Sequence, residues 1–250
     1  MAALLKDKPM TTNQKVPDHI AIILDGNGRW AKKRRLPRAL GHKAGCETLK
    51  RILDSCNDIG LKYLTVYAFS TENWKRSQEE VSALMQLIRY YIPRLEKKAM
   101  QKNTRVLIMG NRERFTEDVI RILDSVEETT KNNTGLTFVL GLNYGGRDEI
   151  RRAAVALAQE VAAGRLKPEE ITEEMISARL DNPQVPDPDL IIRTSGEMRL
   201  SNFLTWQSAY AEFEFPEVLW PDFSDEDLEE ALALYNSRDR RFGGRKPDGS

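Results

Sequence analysis

The chain has 250 residues, with 38 Lys or Arg against 38 Asp or Glu, so its formal net charge at pH 7 is zero. That balance excludes polyanion binding by bulk charge, and any affinity for phosphate has to come from local clusters. Two cysteines, two histidines and no run of the roughly 18–20 apolar residues that span a bilayer argue against a disulfide scaffold, a zinc site and a membrane protein, and for a soluble cytoplasmic enzyme.

Residues 1–16 begin MAALLKDKPMTTNQK, too weakly apolar for a signal peptide, and read as a loose tail. Residues 17–244 read as one domain and 245–250 as a second tail. Runs rich in Val, Ile and Phe predict strands at 19–24, 63–69, 105–110, 136–143 and 190–194. Apolar residues at i, i+3, i+4 spacing predict helices at 41–59, 78–102, 116–130, 145–163, 173–180 and 225–235. This alternation predicts an α/β fold, a mostly parallel central sheet of about six strands flanked by helices. Cys46 and Cys56 fall in one helix, as small residues of a reducing compartment.

The first strand runs into HIAIILDGNGRW, residues 19–30. Asp-Gly and Asn-Gly are hairpin signals, but the next stretch of chain is basic and then helical, so no second strand closes a hairpin. DGNG instead ends a strand at the sheet edge where open α/β sheets bind ligands. Gly26 and Gly28 let the backbone approach an anion closely. Arg29, Lys32, Lys33, Arg34, Arg35, Arg38 and His42 come next. Guanidinium forks suit a diphosphate, with Arg29 and Arg38 the better candidates and residues 32–35 equally readable as a solvated face. Asp25 beside a diphosphate makes sense with Mg²⁺ between them, or it is simply a turn residue.

After the second strand, FSTENWKR adds Ser70, Asn73, Trp74 and Arg76 at the same edge. The next helix carries more apolar surface than one core-facing stripe needs, and Pro93 should bend it. Near the C-terminus, LIIRTSGEMRLS supplies Arg193, Gly196, Arg199 and Ser201, enough to hold a second diphosphate. Glu212 stands in an aromatic stretch where an unpaired carboxylate is costly; a metal, an arginine partner or another structural ion pair would each explain it.

Together with NYGGRDEI and RDRRFGG, these stretches resemble the cis-prenyltransferase family, most closely the bacterial undecaprenyl diphosphate synthases, from about residue 16 to 244. The resemblance implies a transferase that condenses isopentenyl diphosphate in cis onto an allylic diphosphate such as farnesyl diphosphate. The growing chain would enter an apolar tunnel, and the product would be the undecaprenyl lipid carrier of cell-wall glycan synthesis. It implies Asp25 as the central catalytic residue and a Mg²⁺ ligand, with Glu212 helping the metal and Asn73 a candidate for assisting proton removal. Gly26, Asn27, Gly28, Arg29, Arg38 and His42 would contact the allylic diphosphate, Trp30 and Phe69 would border its first isoprene units, Asn73, Trp74 and Arg76 would position the reacting ends, and Ser70 would belong to the same allylic substrate site. Arg193, Arg199 and Ser201 would hold isopentenyl diphosphate, and Arg241 and Gly243 would reach a neighbouring subunit's site in a homodimer. Leu84, Met85 and Ile88 are the expected tunnel lining, and product release implies transient contact with a membrane surface.

Three other readings are weighed. Residues 26–31 formally match the GxGxxG/A fingerprint of a dinucleotide-binding oxidoreductase, but that motif wants an acidic residue about 20 positions on at the end of the second strand, where Gly45 stands in a helix. A non-catalytic prenyltransferase-like partner subunit predicts gaps at the Asp, Asn and Arg positions, and none occur. Nucleic-acid binding is disfavoured by zero net charge and one short basic cluster.

Overall fold

Ile20 and Ile22 face one side of the first strand and Ala21 and Ile23 the other, and all four are buried. A strand apolar on both faces belongs in the middle of a covered sheet. The computed structural model describes residues 15–238. Strand β1 (His19–Ile23) lies between β2 (Tyr63–Ser70) and β5 (Leu190–Arg193) in a six-stranded sheet that also contains β3 (Arg105–Met109), β4 (Thr137–Tyr144) and β6 (Glu212–Glu214). The order is β3-β4-β2-β1-β5-β6 and every pair is parallel. Helices α2 (Arg38–Asp58), α3 (Gln78–Gln101), α4 (Glu117–Thr130) and α7 (Asp225–Ser237) contribute to the larger core, with Ile20, Leu64, Phe138 and Leu190 from the strands. The smaller core on the other face gathers Ala21, Ile23, Tyr67, Tyr144 and Phe203.

The α/β architecture and the five predicted strands are observed, with ends moved by one residue at most. The sixth strand, β6, is three residues long. Where a glycine-rich loop was expected, the chain turns at Gly26 alone, with φ of 111°, and helix α1 (Asn27–Lys33) begins at once. A Cβ on Gly26 would also lie 3.0 Å from Leu219 Cα, so the turn needs glycine twice over. Helix α2 starts earlier than expected, and α6 (Glu173–Ser177) is shorter; α5 (Gly146–Ala162) is as predicted to within a residue. Pro93 sits inside a continuous α3.

The sheet order brings the C-terminal ends of β2, β1 and β5 side by side. Ile23 pairs with Tyr67 on one side and Arg193 on the other. The residues just beyond these strands therefore share one rim.

Candidate active site

Asp25 lies two residues beyond β1. Its backbone nitrogen donates to Thr194 Oγ1 at 3.1 Å, and Thr194 Oγ1 donates to Asp25 O at 2.6 Å, which locks the ends of β1 and β5 together. Arg193 Nη2 donates to Asp25 Oδ2 at 3.0 Å, and Arg29 Nη2 lies 3.2 Å from the same oxygen. Burial pushes the Asp25 carboxyl up, but the hydrogen bond and charge of Arg193 and the charge of Arg29 outweigh it, leaving it below the usual range. It is ionised at neutral pH.

Arg193 is buried, yet its Nη1 also donates to Ser201 Oγ at 2.8 Å and to the carbonyl of Arg199. The RTSGEMRLS segment thus folds over its own strand end. Arg29 donates to Glu197 Oε1 at 3.0 Å and to the Ser195 hydroxyl, and Arg199 pairs with the same Glu197. Arg29, Arg193 and Ser201, expected at two separate diphosphates, meet around Asp25.

A second basic cluster lies between α2 and α3. Arg38 Nη1, Arg76 Nη1 and His42 Nε2 reach the Glu80 carboxylate at 2.8, 2.7 and 3.3 Å. Burial and the charges of Arg76 and Arg38 lower the His42 pKa despite Glu80, so the imidazole is neutral at pH 7. Glu80 was missed from the sequence, although Ser77-Gln78-Glu79-Glu80 has the form of a capping box. Ser77 does cap α3, accepting from Glu80 N at 3.3 Å, but the Glu80 side chain goes to the cations instead of back to the cap. Arg76 lies only four residues before Glu80, but the other two partners, Arg38 and His42, come from α2, which local spacing cannot reveal. Asn73 Oδ1 accepts from Ser70 N at 3.1 Å and holds the 3₁₀ turn Thr71–Lys75 in place.

Both clusters open onto one cavity of about 1000 Å³. Asp25, Gly26, Asn27, Gly28, Arg29, Arg38, His42, Phe69, Ser70, Asn73, Arg76, Arg193 and Ser201 all line it. Away from the sheet edge its lining is apolar at Leu84 and Ile88 of α3, Leu53 of α2 and Leu140 of β4, with charged side chains at Glu47, Lys50, Arg94 and Lys98. Other expected positions do not reach it. Met85 packs against the core beside Leu84. Trp30 turns outward, donating to Asp222 Oδ1 at 2.6 Å with the Arg34 guanidinium 4.1 Å over its ring. Trp74 stands behind Phe69, their ring centroids 5.0 Å apart, and donates to Asn143 Oδ1 at 2.7 Å. Arg199 is held off the wall by Glu197. Arg241 and Gly243 lie outside the described residues.

Glu212 is not brought to Asp25 within this chain. It starts β6 in register with Leu190, whereas Asp25 lies beyond the level of Arg193, at the opposite end of β5. Its partner is Arg238, at 3.0 Å, so the arginine alternative is the one observed. Among the described residues no group of three or more His, Cys, Asp or Glu could hold a metal by itself. The donor set still fits Mg²⁺, which is bound through one or two carboxylates completed by substrate phosphates rather than by an all-protein cage. The dinucleotide fingerprint fails here too: β2 ends at Ser70 rather than at a carboxylate, and Glu72 just beyond it is held by Asn202.

Residues 23–243 match the profile of a family described as "Putative undecaprenyl diphosphate synthase". The chain is 51% identical over 235 residues to an isoprenyl transferase of Agrobacterium fabrum, covering 94% of this chain and 95% of that protein. It is 52% identical over 232 residues to one from Clostridium perfringens, covering 93% and 92%. Among solved structures, lavandulyl diphosphate synthase from Lavandula x intermedia, in complex with dimethylallyl diphosphate, superposes with a TM-score of 0.89 at 37% identity, covering 91% of this chain and 98% of that one. A probable undecaprenyl diphosphate synthase from Campylobacter jejuni gives 0.75 at 32%, covering 92% and 99%.

Proposed function

We propose that this chain, which belongs to the undecaprenyl diphosphate synthase family of cis-prenyltransferases, extends farnesyl diphosphate with successive isopentenyl diphosphate units to a long-chain polyprenyl diphosphate of undecaprenyl type. Its substrates are isoprenoid diphosphates, and neither the oxidoreductase nor the non-catalytic reading is favoured. The observation that carries the finer reading is the cavity that joins the polar sheet edge to the apolar side chains of Leu53, Leu84, Ile88 and Leu140. At about 1000 Å³ it stands at the upper end of ordinary small-molecule sites, which run to about 1,000 Å³. A site for one C5 transfer needs far less apolar room.

The residues divide the work by position. Arg38, His42 and Arg76, with the Gly26–Arg29 segment, hold the allylic diphosphate, and Ser70 closes its rim. Arg193, Arg199 and Ser201 hold isopentenyl diphosphate, so the two head groups lie on either side of Asp25. With both heads fixed, the isopentenyl double bond attacks the allylic C1, the C1–O bond breaks, and diphosphate leaves with the bonding pair. A proton then passes to an oxygen of the departing diphosphate, its C–H pair forming the new cis double bond, with Asn73 assisting at the same rim. Guanidinium donors already in place stabilise the charge that develops on the leaving diphosphate. Mg²⁺, held by Asp25 and substrate oxygens, would supply further charge neutralisation on that diphosphate. Phe69, Leu84 and Ile88 keep water from the growing tail.

As further parts of the proposal, the chain acts as a homodimer in which Arg241 and Gly243 complete a second copy's site. Its product leaves by transient contact with a membrane surface and serves as a lipid carrier for cell-wall glycans. No helix among the described residues is long and apolar enough to cross a membrane. Incubation with farnesyl diphosphate, radiolabelled isopentenyl diphosphate and Mg²⁺, with product sizing afterwards, tests the core of this reading. A ladder ending in long-chain product is expected. Absence of elongation, or a product that stops after one unit, would overturn it.

A further inference from the structure

The NYGG stretch that ends β4 has no part in the chemistry above, yet it contacts both substrate loops. Asn202 adjoins Ser201, and both adopt left-handed backbone, with φ of 68° and 50°. That conformation turns all three of its remaining polar groups toward one junction. Asn202 O accepts from Gly146 N at 2.7 Å, and Asn202 Oδ1 accepts from Arg147 N at 2.8 Å, satisfying two first-turn amides of α5. Asn202 Nδ2 donates to Glu72 Oε1 at 3.0 Å, and Glu72 sits in the 3₁₀ turn immediately before Asn73.

The glycines make this contact possible. A Cβ on Gly145 would stand 2.7 Å from both Asn202 Nδ2 and Thr71 Oγ1, and one on Gly146 would stand 2.4 Å from Thr205 Oγ1. A side chain at 145 would collide with the Asn202 and Thr71 side-chain ends that meet there.

We propose that Asn202 is a positioning residue, which clamps the Arg199–Ser201 loop to the Asn73 turn and so fixes the spacing of the two substrates. This rests on the prenyl-transfer reading and adds a residue that touches neither reacting atom. A clamp of this kind acts on the joint geometry more than on either substrate alone. Reacting atoms displaced by about 1 Å can cost on the order of 100-fold in rate.

The test uses Asn202→Gly, which keeps the left-handed backbone without strain, and Glu72→Ala, which removes the other end of the same bond from an exposed residue. Each variant is expected to lower kcat by about tenfold or more, with Kd for farnesyl diphosphate and KM for isopentenyl diphosphate within about threefold of wild type. The double variant should be no worse than the poorer single one. Unchanged kcat in Glu72→Ala would overturn the proposal, as would a kcat loss matched by equal losses in substrate affinity and Tm. Should Asn202→Gly fail to fold, Glu72→Ala alone decides by the same criteria. Wild type run in parallel separates the two readings: if it elongates nothing, the proposed function fails and this inference with it; if it elongates and both variants match it, only the clamp fails.

Discussion

Arg193 Nη2 donates to Asp25 Oδ2 at 3.0 Å across the β1–β5 pair, placing a buried guanidinium and a half-buried carboxylate at one strand-end junction. The pair makes the site neutral enough to exist before substrate arrives, and leaves Asp25 charged. Removing one member of a buried pair costs more than the pair itself contributes, because the other is left uncompensated.

Asp25→Ala is therefore expected to reduce turnover by at least about a hundredfold while farnesyl diphosphate still binds, because removing an anion does not weaken the hold on a diphosphate. Single-turnover kinetics alongside calorimetric binding measure both. Turnover near wild type would remove Asp25 from the chemistry.

Arg199 pairs with Glu197 and reaches the rim only by leaving it. Charge-assisted hydrogen bonds contribute about 1.5–3 kcal/mol. Arg199→Ala should accordingly raise KM for isopentenyl diphosphate by about tenfold or more and that for the allylic substrate much less. The opposite order would mean the two diphosphate sites are interchanged.

Glu80 gathers Arg38, Arg76 and His42 within 3.3 Å. Glu80→Gln keeps the shape but holds two mutually repelling guanidiniums less firmly, so farnesyl diphosphate should bind several-fold more weakly. Tighter binding in the variant would instead make Glu80 a competing anion that substrate must displace. The sign of the calorimetric change decides.

A metal held by one carboxylate and substrate oxygens should not bind the free protein measurably. Mn²⁺, used as a paramagnetic probe, is expected to bind only when a diphosphate substrate is present, and excess chelator should stop elongation. Tight Mn²⁺ binding to the substrate-free chain would point to a protein-built site instead.

His19 concerns stability rather than catalysis. It is buried, with Nδ1 donating to Pro186 O at 2.7 Å and Nε2 accepting from Thr65 Oγ1 at 2.7 Å. Burial, against the Pro186 bond and the Asp189 charge, lowers its pKa to about 4. The unfolded chain takes up this proton first, so stability is lost as pH falls below about 6.5 and the loss is complete near 4, reaching about 3 kcal/mol. Denaturant titrations of wild type and His19→Gln at pH 7 and 4.5 should show the wild type losing more. Parallel pH profiles would exclude His19 as the cause.

Much of the fold is legible in the order of residues alone. The β1 and β5 strands are buried at every position, and apolar at all but His19 and Arg193, because both faces of the central sheet are covered, so their ends, and with them Asp25 and Arg193, can be read directly. Helix α3 is bounded to within a residue by its capping serine and its spacing. Helix α1 is hidden because Asp-Gly-Asn-Gly carries turn propensity throughout, while in the chain Gly26 alone makes the turn. Strand β6 is hidden because its three residues are defined by pairing with β5, not by their own pattern.

The order of buried and exposed residues, and so the strands, helices and the rim they share, is written in local periodicity. Which side chains meet is not. Glu80 chose cations on another helix over its own cap, Glu212 met Arg238 rather than Asp25, and Trp30 and Met85 turned away from the cavity. These outcomes depend on register and on the packing of elements far apart in sequence, where neighbours compete for one partner and only the assembled fold decides between them.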